Sequence, residues 1–134
     1  MFVTAVYAVL DPQNGELTYA NAGHNPPLWI RDQGSVEKLS RTMIALGILD
    51  APVALQRTIL MRPGESLLMY TDGLTEAFSP LGEFFGESRL LETIGGALPP
   101  SANNLLTSLQ SALRDFVGGD ELADDLTMVA LRRQ

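Results

Sequence analysis

The sequence predicts an α+β fold, with an antiparallel β-sheet or sandwich and helices packed on one face. Three observations predict it. Short β-branched and apolar runs, separated by Gly, Pro and Asn turns, fill most of residues 2–71. Apolar residues at helical spacing then occupy 87–116, broken once by Pro99-Pro100, and one more strand pattern follows at 126–131. Strands, then two helices, then a last strand is an α+β order, not the strand–helix alternation of a parallel fold.

Phe2 to Leu10 carries apolar residues at both parities and reads as a strand covered on both faces. Asp11-Pro12-Gln13-Asn14-Gly15 is a turn, with Pro fixing φ and Asn-Gly accepting positive φ. Glu16 to Ala22 returns as the second strand of a hairpin. Gly23-His24-Asn25-Pro26-Pro27 breaks the pattern. Leu28–Ile30 and Val36–Leu39 form a second hairpin around Arg31–Ser35. The apolar run Met43–Leu49 reads as a buried loop or short strand, because Gly47 weakens a helix there. Val53 to Leu60 and Ser66 to Thr71 are strands around the turn Arg62-Pro63-Gly64-Glu65. Leu90, Leu91, Ile94 and Leu98 share one helical face. Ser101 caps a longer helix that turns Leu105, Leu106, Leu109, Ala112, Leu113 and Phe116 inward, and Gly118-Gly119 ends it.

The 134 residues suit one domain, 1–134, with a real core. A formal net charge of -7 argues against nucleic-acid or anionic-membrane partners. No apolar run has the length of a membrane span, and the N-terminus lacks a signal-peptide layout, so a cytoplasmic location is expected. With no Cys, thiolate metal sites and cysteine-nucleophile chemistry are excluded. With His24 as the sole histidine, so is a multi-histidine site, and no Ser lies in a nucleophile-elbow pattern. Carboxylates, backbone oxygens and bound metal remain for catalysis.

Two acidic turns carry that chemistry. Tyr70-Thr71-Asp72-Gly73-Leu74-Thr75-Glu76 ends one strand, and Asp124-Asp125-Leu126-Thr127 opens the last. If those strands pair antiparallel, both turns share one rim of the sheet, where carboxylates suit a hard cation such as Mg²⁺ or Mn²⁺. Gly73 lets the backbone turn sharply and approach an ion or phosphate closely. On spacing alone a plain turn and a solvated cap account for the two segments better than a metal site does.

The chain resembles the C-terminal portion of a metal-dependent, PPM-type protein serine/threonine phosphatase of the bacterial SpoIIE/RsbU-like branch. Seven segments match in family order: Met1–Ala5, Tyr19-Ala20-Asn21-Ala22-Gly23-His24-Asn25-Pro26-Pro27-Leu28, Leu46-Gly47, Pro63-Gly64-Glu65, Leu68-Met69-Tyr70-Thr71-Asp72-Gly73-Leu74-Thr75-Glu76-Ala77, Phe85-Gly86 and Asp124-Asp125-Leu126-Thr127. The resemblance implies a partial α-β-β-α sandwich and a two-metal Mn²⁺ or Mg²⁺ centre. It makes Asp72 and Asp124 metal ligands, Asp125 a support for the ligand turn, and Gly73 part of the tight turn. No catalytic residue beyond the metal ligands is implied. The implied reaction is attack of metal-activated water on phosphoserine or phosphothreonine of a signalling protein, often an anti-anti-sigma (STAS) partner.

Family members also carry an earlier G-D-x-x-D and a D-x-S-G-x-G pattern that supply further ligands, and neither occurs here. The chain therefore reads as a phosphatase domain lacking its N-terminal segment, with a half-built metal site. Exposed edge strands then favour a homodimer or strand swap. His24 reads as a loop residue bonded to backbone rather than a proton carrier, and Glu76 as a helix-start or loop acid rather than a partner of a metal-bound water. Arg57 and Arg62 are possible phosphate partners with nothing to place them. Two other readings compete: a non-enzymatic binding or oligomerising module derived from a phosphatase, and an unrelated carboxylate-metal hydrolase.

Overall fold

In a strand, successive side chains point to opposite faces, so a run buried at both parities requires cover on both sides of its sheet. Leu28–Ile30 and Ser66–Tyr70 satisfy that condition: Leu28, Trp29, Ile30, Leu67, Leu68 and Tyr70 are all buried. These two strands form the middle of the protein. The structure is a computed structural model and describes residues 1–95, 100–119, 121–122 and 124–134.

The described elements run β1 (Ala5–Leu10), β2 (Glu16–Ala22), β3 (Leu28–Ile30), β4 (Val36–Lys38), β5 (Arg57–Leu60), β6 (Ser66–Tyr70), α1 (Gly86–Gly95), α2 (Ala102–Val117) and β7 (Met128–Arg132). They build two antiparallel sheets, one ordered β1-β2-β5 and the other β4-β3-β6-β7. Leu17, Tyr19, Trp29, Leu39, Met61 and Leu67 form the core between the sheets. Leu28, Ile30, Leu68 and Tyr70 point the other way, into a second core with Leu90, Ile94, Leu105, Leu109 and Leu113 of the helices. The sheet β4-β3-β6-β7 therefore belongs to both cores. Each fully buried leucine in them contributes about 1.5–3 kcal/mol by leaving water.

Local chemistry sets the helix ends. The Ser101 hydroxyl accepts the Asn104 N–H at 3.1 Å, and Gly118 closes α2 in the left-handed region at φ 74°. Leu98 and Pro99, placed by sequence at the end of the first helix, lie outside the described residues, as do Asp120 and Ala123 of the segment after Gly118.

Several expectations are corrected. β1 is not covered on both faces. It is an edge strand, and Tyr7 (73% exposed) and Val9 (54%) stand on its open face. Its paired residues explain the split: Ala8 and Leu10 lie opposite Tyr19 and Leu17 and face the core, so Tyr7 and Val9 must face away. The strand expected over Val53 to Leu60 is ordered as β only at Arg57–Leu60, where pairing with β2 supplies the ladder. The run Met43–Leu49 is not a buried loop. Met43 and Leu46 make isolated bridges to Ala22 and Val3, and only Ala45 is buried, while Ile44, Leu46, Ile48 and Leu49 are exposed. The last strand starts at Met128, two residues later than its apolar pattern.

Buried between the sheets' turns is one carboxylate, Glu65. It accepts hydrogen bonds from Trp29 Nε1 (2.9 Å), Arg31 Nε (2.8 Å) and the Arg62 backbone N–H (2.9 Å), and Arg31 stacks 4.0 Å over the Trp29 ring. This cluster ties the turn before β6 to β3.

Candidate functional site

Antiparallel pairing of β6 with β7 sets Tyr70 opposite Met128. The ladder continues one step further: Thr71 N–H donates to Thr127 O, and Thr127 N–H donates to Thr71 Oγ1, each at 3.0 Å. The end of β6 and the start of β7 thus form one rim, and the two acidic turns spring from it side by side.

Their contact is closer than any side chain permits. A Cβ added to Gly73 would stand 2.2 Å from the carbonyl oxygen of Asp125. Gly73 does not have positive φ. Gly73 lies in the tight turn, as expected, and its lack of a side chain also serves the approach of a second backbone. The first turn is wound by its own backbone: Leu74 N–H donates to Thr71 O (3.1 Å) and Glu76 N–H to Asp72 O (2.8 Å). In the second, the Asp124 carboxylate accepts the Asp125 N–H at 2.8 Å. Asp72, Asp124 and Asp125 are all exposed.

The two candidate ligands line neighbouring clefts. Asp72 lines a cleft of about 300 Å³ with Thr4, His24, Asn25, Arg41 and Thr71. Asp124 lines a cleft of about 200 Å³ with Gly73, Glu76 and Phe84, and a larger one of about 480 Å³ with Asp125, Gln110 and Arg114. Glu76 is a turn acid, as expected from sequence, and it shares a cleft wall with Asp124.

His24 is held at three points, by two neighbouring side chains and one backbone carbonyl. Its N–H donates to Asn21 Oδ1 (2.9 Å), its carbonyl accepts from Arg41 Nε (3.2 Å), and its Nδ1 lies 3.1 Å from Asn25 O. A carbonyl only accepts, so Nδ1 carries the hydrogen and Nε2 is left as the ring's free nitrogen. Arg57 sits in β5 and Arg62 in the turn before β6, at the end of that strand away from Asp72; neither lines the clefts of the rim. Arg41 does, and sequence reading did not single it out. The bridge of Met43 to Ala22 and the bonds of Thr42 and Met43 to Asn21 bring it there, contacts between distant residues that no local pattern encodes.

The donor set matches a hard divalent cation in kind. Mg²⁺ is commonly held by one or two carboxylates together with waters and phosphate oxygens. It does not match a two-metal centre in number, because no group of three or more His, Cys, Asp or Glu able to hold a metal occurs among the described residues.

The family model for stage II sporulation protein E matches residues 1–134, the whole chain. The chain belongs to the SpoIIE family. Among SpoIIE-like relatives, Protein IcfG of Synechocystis is 36% identical over 133 residues, covering 99% of this chain and 21% of IcfG. The phosphoserine phosphatase RsbU of Bacillus subtilis is 28% identical, with 100% of this chain matched to 40% of RsbU. The solved RsbU and RsbW domains of a Mycobacterium tuberculosis protein superpose with a TM-score of 0.75 at 27% identity, over 98% of this chain and 37% of that one. The chain thus spans well under half the length of these SpoIIE-type relatives. The resemblance to the PPM-type SpoIIE/RsbU branch holds, and the two antiparallel sheets with two helices match the fold of its phosphatase domains. No helix among the described residues is long and apolar enough to cross a membrane.

Proposed function

We propose that this chain is the later portion of a metal-dependent phosphatase domain that hydrolyses phosphoserine or phosphothreonine on a signalling protein, with anti-anti-sigma (STAS) proteins as the substrate class. The observation that carries the reading is the seating of Gly73 on the Asp125 carbonyl, which fastens the two acidic turns of a SpoIIE-family chain to each other. In this reading Asp72 and Asp124 each give a carboxylate to Mn²⁺ or Mg²⁺. Asp125 and Gly73 fix the turns that carry them. A bound metal supplies Lewis acidity and an activated water. The chain's own part is to hold the carboxylates on one rigid rim and to leave open clefts on both sides for the phosphoprotein. Residues 1–134 form one unit in this reading. Its centre draws further donors from outside these residues, from the family's G-D-x-x-D segment.

Mn²⁺-dependent hydrolysis of p-nitrophenyl phosphate by the chain tests the reading. Weak turnover that rises with Mn²⁺ is expected, and Asp72→Asn should lower it by roughly 100-fold, since a metal supplies several kcal/mol of transition-state stabilisation. A folded protein with no Mn²⁺ response removes the claim that this chain acts alone.

The second reading, a phosphatase-derived module that oligomerises, is favoured by the open face and unpaired edge of β1. Light scattering across a concentration series is expected to show growth from monomer to dimer. Val9→Lys, which puts a charge on the exposed face of that edge strand, should return the mass to that of a monomer. A monomer at every concentration would exclude the pairing.

A further inference from the structure

The cleft beside Asp72 holds a cation that no part of the preceding account uses. Among the described residues Arg41 is the sole Lys or Arg lining it, and Asp72 the sole carboxylate, in a chain whose net charge is -7. The guanidinium is set in place from its own backbone outward. Thr42 N–H and Met43 N–H both donate to Asn21 O, at 3.0 and 3.1 Å, and Asn21 N–H donates back to Thr42 Oγ1 at 2.9 Å. The Asn21 side chain in turn accepts the His24 N–H at 2.9 Å. The carbonyl of that same His24 accepts from Arg41 Nε at 3.2 Å.

One residue, Asn21, therefore fastens both the irregular segment that carries Arg41 and the loop that orients it. Nε is occupied, and the two Nη nitrogens take no acceptor among the described residues. Arg41 is also in none of the ion pairs Arg31–Glu37, Arg31–Glu65, Lys38–Glu87 and Arg89–Glu83. A planar fork with two free donor nitrogens, already oriented, matches two oxygens of a phosphate group; a lysine in its place would offer only a point charge.

We propose that Arg41 is the phosphate-anchoring residue of this site, presenting its Nη donors to the non-bridging oxygens of a phosphomonoester held beside Asp72. The inference rests on the phosphatase reading above. The His24–Pro27 loop acquires a role in it: its backbone positions the anchor, while the histidine ring does no proton transfer.

The test is an inorganic phosphate titration of the metal-free chain, followed by ¹H–¹⁵N NMR, on the wild type, Arg41→Ala and Arg41→Lys. Arg41 is exposed, and each variant's amide spectrum reports its fold directly. Saturable shifts are expected at the Arg41 Nε–H and the Thr71 and Asn25 amides. Arg41→Ala should weaken binding about tenfold or more, the usual size of a lost charge-assisted hydrogen-bond pair. Arg41→Lys should fall between, keeping the charge and losing the fork. No saturable binding, shifts centred elsewhere, or an Arg41→Ala affinity equal to wild type would each overturn the inference. Mn²⁺-dependent turnover is scored separately. Phosphate binding without turnover leaves Arg41 as an anion anchor and removes the claim that this chain turns over alone. Turnover with an unchanged kcat/KM in Arg41→Ala does the reverse.

Discussion

Gly73→Ala is expected to lower stability by about 1–3 kcal/mol, the usual cost of forcing extra volume into a packed site. It should also abolish whatever metal response the chain has. The cause is a distance: the new methyl carbon would lie 2.2 Å from Asp125 O and 3.1 Å from Asp125 C. Both atoms are backbone, so no side chain can rotate away, and the two acidic turns must separate. Thermal unfolding is the check, with a drop on the order of 4 °C for each kcal/mol lost. Gly95→Ala is the matched control. It is the last residue of α1, does not have positive φ, and has nothing within 4 Å of its added Cβ. It should leave stability unchanged or raise it by up to about 1 kcal/mol. Equal stability of the two variants would show that the turns are not pressed together.

Glu65→Ala is expected to cost more, about 3–5 kcal/mol, the range for breaking a buried charge cluster by removing one partner. The side chain is fully buried, and its loss leaves the Trp29 indole N–H and the Arg62 N–H without their acceptor. Arg31 keeps Glu37 at 2.7 Å and partial contact with water. The effect carries a pH signature. Burial alone would push the Glu65 carboxyl up, but the Arg62 N–H, the Arg31 guanidinium and the Trp29 indole outweigh it and hold the group below its ordinary 4.5. A carboxyl depressed in the folded state contributes stability that is complete above its unfolded value and fades as pH falls through its folded one. The urea midpoint of wild type should therefore exceed that of Glu65→Gln by a constant amount at neutral pH, and the gap should shrink below pH 4.5. A gap that does not change with pH would mean that Glu65 is not held as the charged form.

Much of this was legible in the residues. The turn Asp11–Gly15, the cap at Ser101 and the stop at Gly118 each carry their conformation in local chemistry, and the structure follows them. The adjacency of the acidic turns was legible too, because an antiparallel last strand must begin where its partner ends. What was not legible depends on layers. Phe2 to Leu10 has the composition of a doubly covered strand, yet β1 is an edge. The sequence of β1 holds no information about which of its faces meets a second sheet. The same holds for Arg41, which reaches the rim by pairing with residues some twenty positions earlier, whereas Arg57 and Arg62, the phosphate partners that the sequence offered, lie elsewhere. Gly73 was singled out for its smallness, but the backbone of Asp125 pressed against it was not legible, because it comes from a turn some fifty residues later.

Strand β6 is one of those that join the two halves of the molecule. β6 sends Leu67 and Met69 toward the other sheet and Leu68 and Tyr70 toward the helices, then runs directly into Asp72. Neither core can come apart without disturbing the strand that carries the rim. Any ion or phosphate that grips the rim more tightly in the folded than in the unfolded chain thereby adds its binding free energy to the stability of both cores at once. Occupancy at the edge is felt throughout the protein as a change in how firmly it is folded.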